Sequence, residues 1–446
     1  MSKISKIVSI IVILALAAVE FGLAYATVKS INSGGKPDMQ QGMNMSGGSV
    51  SYSAKTEISE SSDVSDEAYF SETADENAVL IKGASVTMSG ITVTKSGDSD
   101  GGDNTSFYGT NSAVIAKDGA ELTVKDAKIT TDATGANGVF SYGGSAVTNN
   151  SSSDGTTVNI SDSVITTSKD NSGGIMTTGG GTMNAYDLTV NTAGTSSAAI
   201  RSDRGGGTVN VDGGSYTTTG QGSPSIYSTA DITVKNAKLT AMALEGIVIE
   251  GKNSVSIDSC ELIDSNTKLN GQSTTYKNIF LYQSMSGDAD SGTASFTAKN
   301  SRITTEKGDT LYVTNTAAVI TLENNTIANN DPTGYFLRVQ KDSWGNDGSN
   351  GGTVELNMTN QSAEGDIYVD SISSLTVSMS DGSRYEGAIN SDNCAGSVSL
   401  KLDSSSKLKL TADTYLTSLD DEDPTLGNID FNGYKLYVNS QEVTAE

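Results

Sequence analysis

The chain contains no histidine. That absence removes Ser-His-Asp and Cys-His nucleophilic catalysis, and with it zinc sites that need imidazole. Cysteine is almost as scarce, with only Cys260 and Cys394 among 446 residues. Tryptophan occurs once, at Trp344. Positive charge is in short supply: 28 Lys and Arg stand against 53 Asp and Glu, a net of -25. Such a surplus repels nucleic acid, anionic membranes and anionic polysaccharides unless cations bridge them. No window beyond the N-terminus carries a helical apolar stripe, so helix content is expected to be near zero.

What fills the chain is Ser, Thr, Asn and Gly around short alternating apolar runs. The stretch Ala230 to Ile257 shows the unit. Ile232-Thr-Val234 leads to a turn, Lys238-Leu239-Thr240 to another, and Gly246-Ile-Val-Ile249 to a third; the pattern then restarts at Val255-Ser-Ile257. The first run recurs as apolar pairs such as Val86/Met88, Leu122/Val124, Val158/Ile160, Val209/Val211, Phe296/Ala298, Ile320/Leu322, Val354/Leu356, Val398/Leu400 and Ile429/Phe431. A polar residue sits between the members of each pair, which puts the pair inside and the polar residue outside. A middle column runs through Ile129, Ile165, Leu188, Tyr216, Leu239, Leu262, Ile303 and Ile327, and blurs after that. The third run supplies Leu80, Ile115, Phe140, Met176, Ile200, Ile226, Val248, Phe280, Leu311, Phe336, Ile367 and Ile389 as its inward residues. Three inward columns with one period predict an all-β fold: a single-stranded right-handed parallel β-helix, a β-solenoid of about thirteen coils with three strands per coil.

The organisation along the chain follows. Residues 1–26 read as a signal peptide or signal anchor, with Lys3 and Lys6 before an apolar run and Ala24-Tyr25-Ala26 as cleavage site. Residues 27–76 read as a polar flexible linker or N-cap, 77–438 as the β-helix and 439–446 as a C-terminal tail. Cys260 and Cys394 fall four to five coils apart. At the strand spacing that is roughly 20 Å, beyond the ~7 Å reach of a disulfide, so both thiols are expected free.

Loops that interrupt a regular scaffold are where function concentrates. Polar insertions occur at 96–106, 145–155, 264–276, 285–292 and 341–352. On the third run, the outward neighbours include Ala116, Ser141 and Thr177 early, then Tyr227, Ile249, Leu281, Tyr312 and Tyr368, with Tyr335 just before its inward residue. This places an apolar and aromatic face from Tyr227 to Tyr368, suited to a sugar ring or a protein surface. The candidate binding residues are Tyr227, Tyr312, Tyr335, Trp344 and Tyr368, with folding-back of the inserted loops over this face as the bland alternative. Asp98, Asp100 and Asp103 offer closely spaced oxygens of the kind calcium takes, without a full EF-hand pattern, so Ca2+ is the one candidate cofactor.

The V-x-[IVL]-x-[DN] pattern with Gly and Asn turns resembles the right-handed parallel β-helix proteins of the pectin-lyase-like superfamily, and within them bacterial adhesin-like proteins. The resemblance implies secretion or a cell-surface location. It leaves three functions open: a non-catalytic binding protein for a glycan or cell-surface protein, a calcium-dependent lyase of the pectate type, or a structural envelope protein. The hydrolases of this fold use a Gly-His-Gly segment, which a chain without histidine cannot supply. The lyases use an Arg or Lys base beside calcium-holding carboxylates, and Arg201 near Asp203 and Arg204 is the one outward candidate. No nucleic-acid partner is expected, and no membrane contact beyond an N-terminal anchor.

Overall fold

Val-x-Val triplets bounded by Asn, Asp and Gly cannot bury their apolar edge alone, so they stack. In the computed structural model, which describes residues 50–445 apart from 101, 145–152, 270–272 and 285, they form three long parallel sheets. The 14-stranded first sheet collects the first runs, from Ser62–Ser65 to Ser418–Asp421. The 10-stranded second sheet collects the middle runs, from Ala68–Ser71 to Thr326–Asn329. The 12-stranded third sheet runs from Ser53–Ile58 to Ile367–Val369. The chain visits the three sheets in turn and climbs one rung per circuit. The fold is the right-handed parallel β-helix expected, with three strands per coil. The one α-helix among the described residues is α1, Asp103–Tyr108, built from the first insertion.

The turn from first to second sheet explains the Asp/Asn pattern. Asp126, Asp162, Asp187, Asn236, Asn300, Asn324 and Asn360 hold φ between 48° and 54°. Asp and Asn visit this left-handed region at lower cost than other side-chain-bearing residues. The next residue turns inward and ties rung to rung. Ser301 Oγ accepts the Cys260 amide at 3.0 Å, Asn325 Oδ1 accepts Ser301 at 2.9 Å, and Gln361 Oε1 accepts Asn325 at 2.8 Å. Cys260 is a buried member of this ladder, and Cys394 stands elsewhere; both are free.

Register departs from the sequence reading in four places. Among the described residues the solenoid starts one coil early: Ser53–Ile58, Ser62–Ser65 and Ala68–Ser71 already pair in parallel with the strands that follow. The predicted leader and residues 27–49 of the predicted linker lie outside the described residues. In the first sheet, Ile320 faces Leu356, which pairs on to Val377 and Leu400. The expected pairing with Val354 is thus two residues out, because the strands here lengthen to seven residues with a third inward side chain. Ile429 does not belong to this sheet at all. In the second sheet Val190, not Leu188, stacks on Ile165. The blur after Ile327 is a break: a separate 4-stranded sheet takes over, with Ala363, Tyr385, Leu408 and Ile429 as its inward column.

The fourth departure matters most. Stacked in register on the third sheet are Leu80, Ile115, Phe140, Met176, Arg201, Tyr227, Val248, Phe280, Tyr312, Arg338 and Tyr368. The core takes their neighbours instead: Val79 and Ile81, Val114 and Ala116, Ile200, Ile226, Ile247 and Ile249, Ile279 and Leu281, Leu311 and Val313. The expected row of Ile226, Val248, Phe280 and Leu311 is therefore split. Ile226 and Leu311 point inward, whereas Val248 and Phe280 join a separate cluster on the outer side. A slip of one residue exchanges the two faces of a strand. The parallel stack survives the correction because several of these strands, such as Val139–Tyr142 and Ile247–Glu250, are buried on both faces.

Candidate functional site

The outer face of the third sheet carries two apolar clusters. The N-terminal one, Leu80, Ile115, Phe140, Tyr142 and Met176, is covered by Tyr52 and by Tyr108 of α1. This stretch was expected to be small and polar outside; Ala116, Ser141 and Thr177 are in fact buried in the strands. The second cluster is Val248, Phe280 and Tyr312, with Tyr227, Tyr282 and Trp344 packed on it. Between the clusters the rungs of Arg201 and Tyr227 form the floor of a cleft of about 330 Å³. Ser106 and Phe107 of α1 line one side and Trp344 the other, with Pro224, Leu244, Glu245, Tyr282 and Asp288 along the rims.

The aromatic side is a stack built from the strand Lys277–Tyr282 and the loop that carries Trp344. Phe280 lies against Tyr282 with ring centroids 4.5 Å apart, and Trp344 sits 5.2 Å from Phe280 and 5.3 Å from Tyr282. Tyr227 and Tyr282 both donate to Glu250 Oε2, at 2.5 and 2.9 Å. Ser284 donates to Glu250 Oε1. Burial, with this carboxylate beside them, holds both phenols well above their ordinary range.

The polar side is a set of buried and half-buried ion pairs. Arg201 Nη2 meets Asp203 Oδ2 at 2.8 Å, and the Arg204 amide donates to Asp203 Oδ1 at 2.9 Å. Arg201 also donates to the Ser196 carbonyl and to Ser106 Oγ, at 3.0 and 3.3 Å. Arg204 pairs with Asp288 at 2.6 Å, and its guanidinium lies 4.1 Å over the Phe107 ring. Burial pushes the Asp203 carboxyl up to about 6 despite Arg201. Glu245, Lys277 and Asp309 share one register position at the starts of three successive third-sheet rungs, with Glu245 reaching the cleft. Lys277 Nζ lies 3.8 Å from Glu245, and 4.5 and 4.6 Å from the Phe280 and Tyr312 ring centroids. Burial raises the Glu245 and Asp309 carboxyls and lowers the Lys277 amine.

The residues singled out from sequence separate into three groups. Tyr227 and Trp344 line the cleft. Tyr312 is buried: its hydroxyl donates to Asp342 at 2.5 Å and accepts from Gln340 at 2.8 Å, so the loop after the next rung, Leu337–Val339, has folded over it. Tyr335 and Tyr368 stand further along, half-buried, edge to face with ring centroids 5.8 Å apart, and the Arg338 guanidinium lies beside both at 4.3 and 5.4 Å. The face is thus one cleft, one covered ring and one Arg-centred clasp. Asp98, Asp100 and Asp103 do not converge. Asp98 accepts the Thr134 amide at 2.7 Å while Asp103 opens α1. Among the described residues no group of three Asp, Glu or Cys side chains is placed to hold a metal ion. Phe280, Glu245, Glu250 and Tyr282 were missed; the signal for them is the recurrence of large or ionisable residues at one register position over successive coils. Comparison with protein-family models, with curated proteins and with solved structures finds no match.

Proposed function

We propose that this chain is a secreted or cell-surface, non-catalytic binding protein that holds a glycan in the cleft of the third sheet. One observation carries the reading: aromatic faces and hydrogen-bonded buried charges confront each other across a cleft of about 330 Å³. A pyranose offers an apolar C–H face for the first and hydroxyls for the second. The scaffold is rigid at this point, because every floor residue belongs to a rung laddered on both sides. Arg201 supports binding over lyase chemistry: Asp203, Ser196 and Ser106 already engage its guanidinium, so it is poorly placed to take a proton from substrate. The acidic charge and the predicted leader support an extracellular location.

The test is retention of the full chain on a panel of immobilised neutral, amino and uronic glycans. Binding that weakens tenfold or more in Trp344→Ala, with the melting transition kept, supports the reading. Release of unsaturated products from a uronic polymer with Ca2+ would replace it with the lyase.

A further inference from the structure

We infer that the sugar bound in this cleft bears a free amine, and that Glu245 receives its ammonium. The inference rests on the glycan reading above and narrows its ligand class. Three buried carboxylates border the aromatic and polar sides, and two of them are satisfied by the protein itself. Asp203 is filled by Arg201 and the Arg204 amide. Glu250 is filled by Tyr227, Tyr282 and Ser284. Glu245 differs. It lines the cleft and is only 3% exposed, yet its Oε2 receives no hydrogen bond from any described residue. Its nearest cation, Lys277 Nζ, is 3.8 Å from the other oxygen, beyond hydrogen-bond reach. A buried carboxylate oxygen without a donor is costly, and a donor carried in by a ligand removes that cost.

The surroundings select the charge of that donor. The lining holds Asp103, Asp203, Glu245 and Asp288 against Arg201 alone. With Arg204 and Lys277 added from behind, acids still outnumber bases, in a chain of net charge -25. Trp344, half-buried, lines the cleft, and aromatic rings attract cations. The same cluster already holds one ammonium in this way, that of Lys277 over Phe280 and Tyr312. A uronate in this place would set its carboxylate against Glu245 and Asp203. A fully acetylated amino sugar would offer a neutral N–H where the site presents a charge.

The experiment is calorimetric titration of the full chain with a glucosamine disaccharide, its N-acetylated counterpart and a galacturonate disaccharide, in about 150 mM salt so that long-range attraction is screened. The expected result is a preference of tenfold or more for the free amine over the acetylated form. That preference disappears in Glu245→Gln and persists in Asp63→Asn, which removes the same charge from an exposed position on the first coil. Equal binding of both amino sugars, or a preference kept by Glu245→Gln, overturns the amine inference and leaves the glycan reading standing. Failure of the wild-type chain to bind any of the glycans on the panel above overturns both. If Glu245→Gln does not fold, the wild-type preference between the two amino sugars decides.

Discussion

Asp203 is 4% exposed, and its environment makes it a reporter of the cleft. Burial lifts its carboxyl from the ordinary 3.8 to about 6. The folded state therefore holds this proton more tightly than the unfolded chain does. The contribution is fully present below about pH 4 and is lost as pH rises towards 6. Relative to Asp203→Asn, the wild-type chain is expected to lose melting temperature between pH 4 and pH 6 and to run parallel above that, as followed by circular dichroism. A wild-type chain that instead gains on the variant over this interval would show Arg201 outweighing burial. At this scale the sequence was partly legible. Tyr227 and Trp344 could be picked out because large rings among Ser, Thr and Gly are conspicuous. Tyr312 was equally conspicuous and is buried, since nothing local encodes that Asp342 folds back onto its hydroxyl. Glu245 and Glu250 drew no attention because acids are common in this chain and their burial is set by loops from other coils.

Elements of the first sheet were readable because one of their faces is wet. Strands such as Asp231–Lys235 alternate exposed or half-buried with buried positions, and period-2 alternation fixes parity. Several strands of the third sheet give no such signal. Ile247–Glu250 and Val139–Tyr142 are buried throughout, core on one side and loop-covered cluster on the other, so a slip of one residue costs nothing in hydrophobic pattern. The turns were legible in composition. Asp162 sits at φ 51° on the surface with its amide on the Tyr186 carbonyl. Asp162→Ala should cost about 1 kcal/mol, because alanine gains no local compensation in the left-handed region. Asp162→Gly should be close to neutral, since glycine enters that region freely. Denaturant midpoints of the two variants, compared with wild type, check the order.

The molecule as a whole is less uniform than its repeat. Two sheets run on past the coil of Ile327, while the second sheet stops there and the 4-stranded sheet begins. Gln361 spans the interval with its side chain, accepting from the Asn325 amide and donating to its carbonyl, at 2.8 and 2.9 Å. Ile327 is half-exposed where Ile303, one rung below, is buried. Hydrogen exchange followed by mass spectrometry should therefore find Thr326–Asn329 faster than Arg302–Thr305, because strands with fewer inter-rung bonds open at lower cost. Equal protection would mean that the Gln361 bridge substitutes fully for a backbone ladder. The sequence marked this place only as a fading column; the break itself depends on how far apart two rungs settle, which no residue type states. A last consequence concerns the strand Gln441–Val443, which runs antiparallel to Leu436–Val438 where every other strand pairing among the described residues is parallel. A further strand laid on Gln441–Val443 in the common direction would pair with it antiparallel, so at this edge the uniform parallel ladder ends.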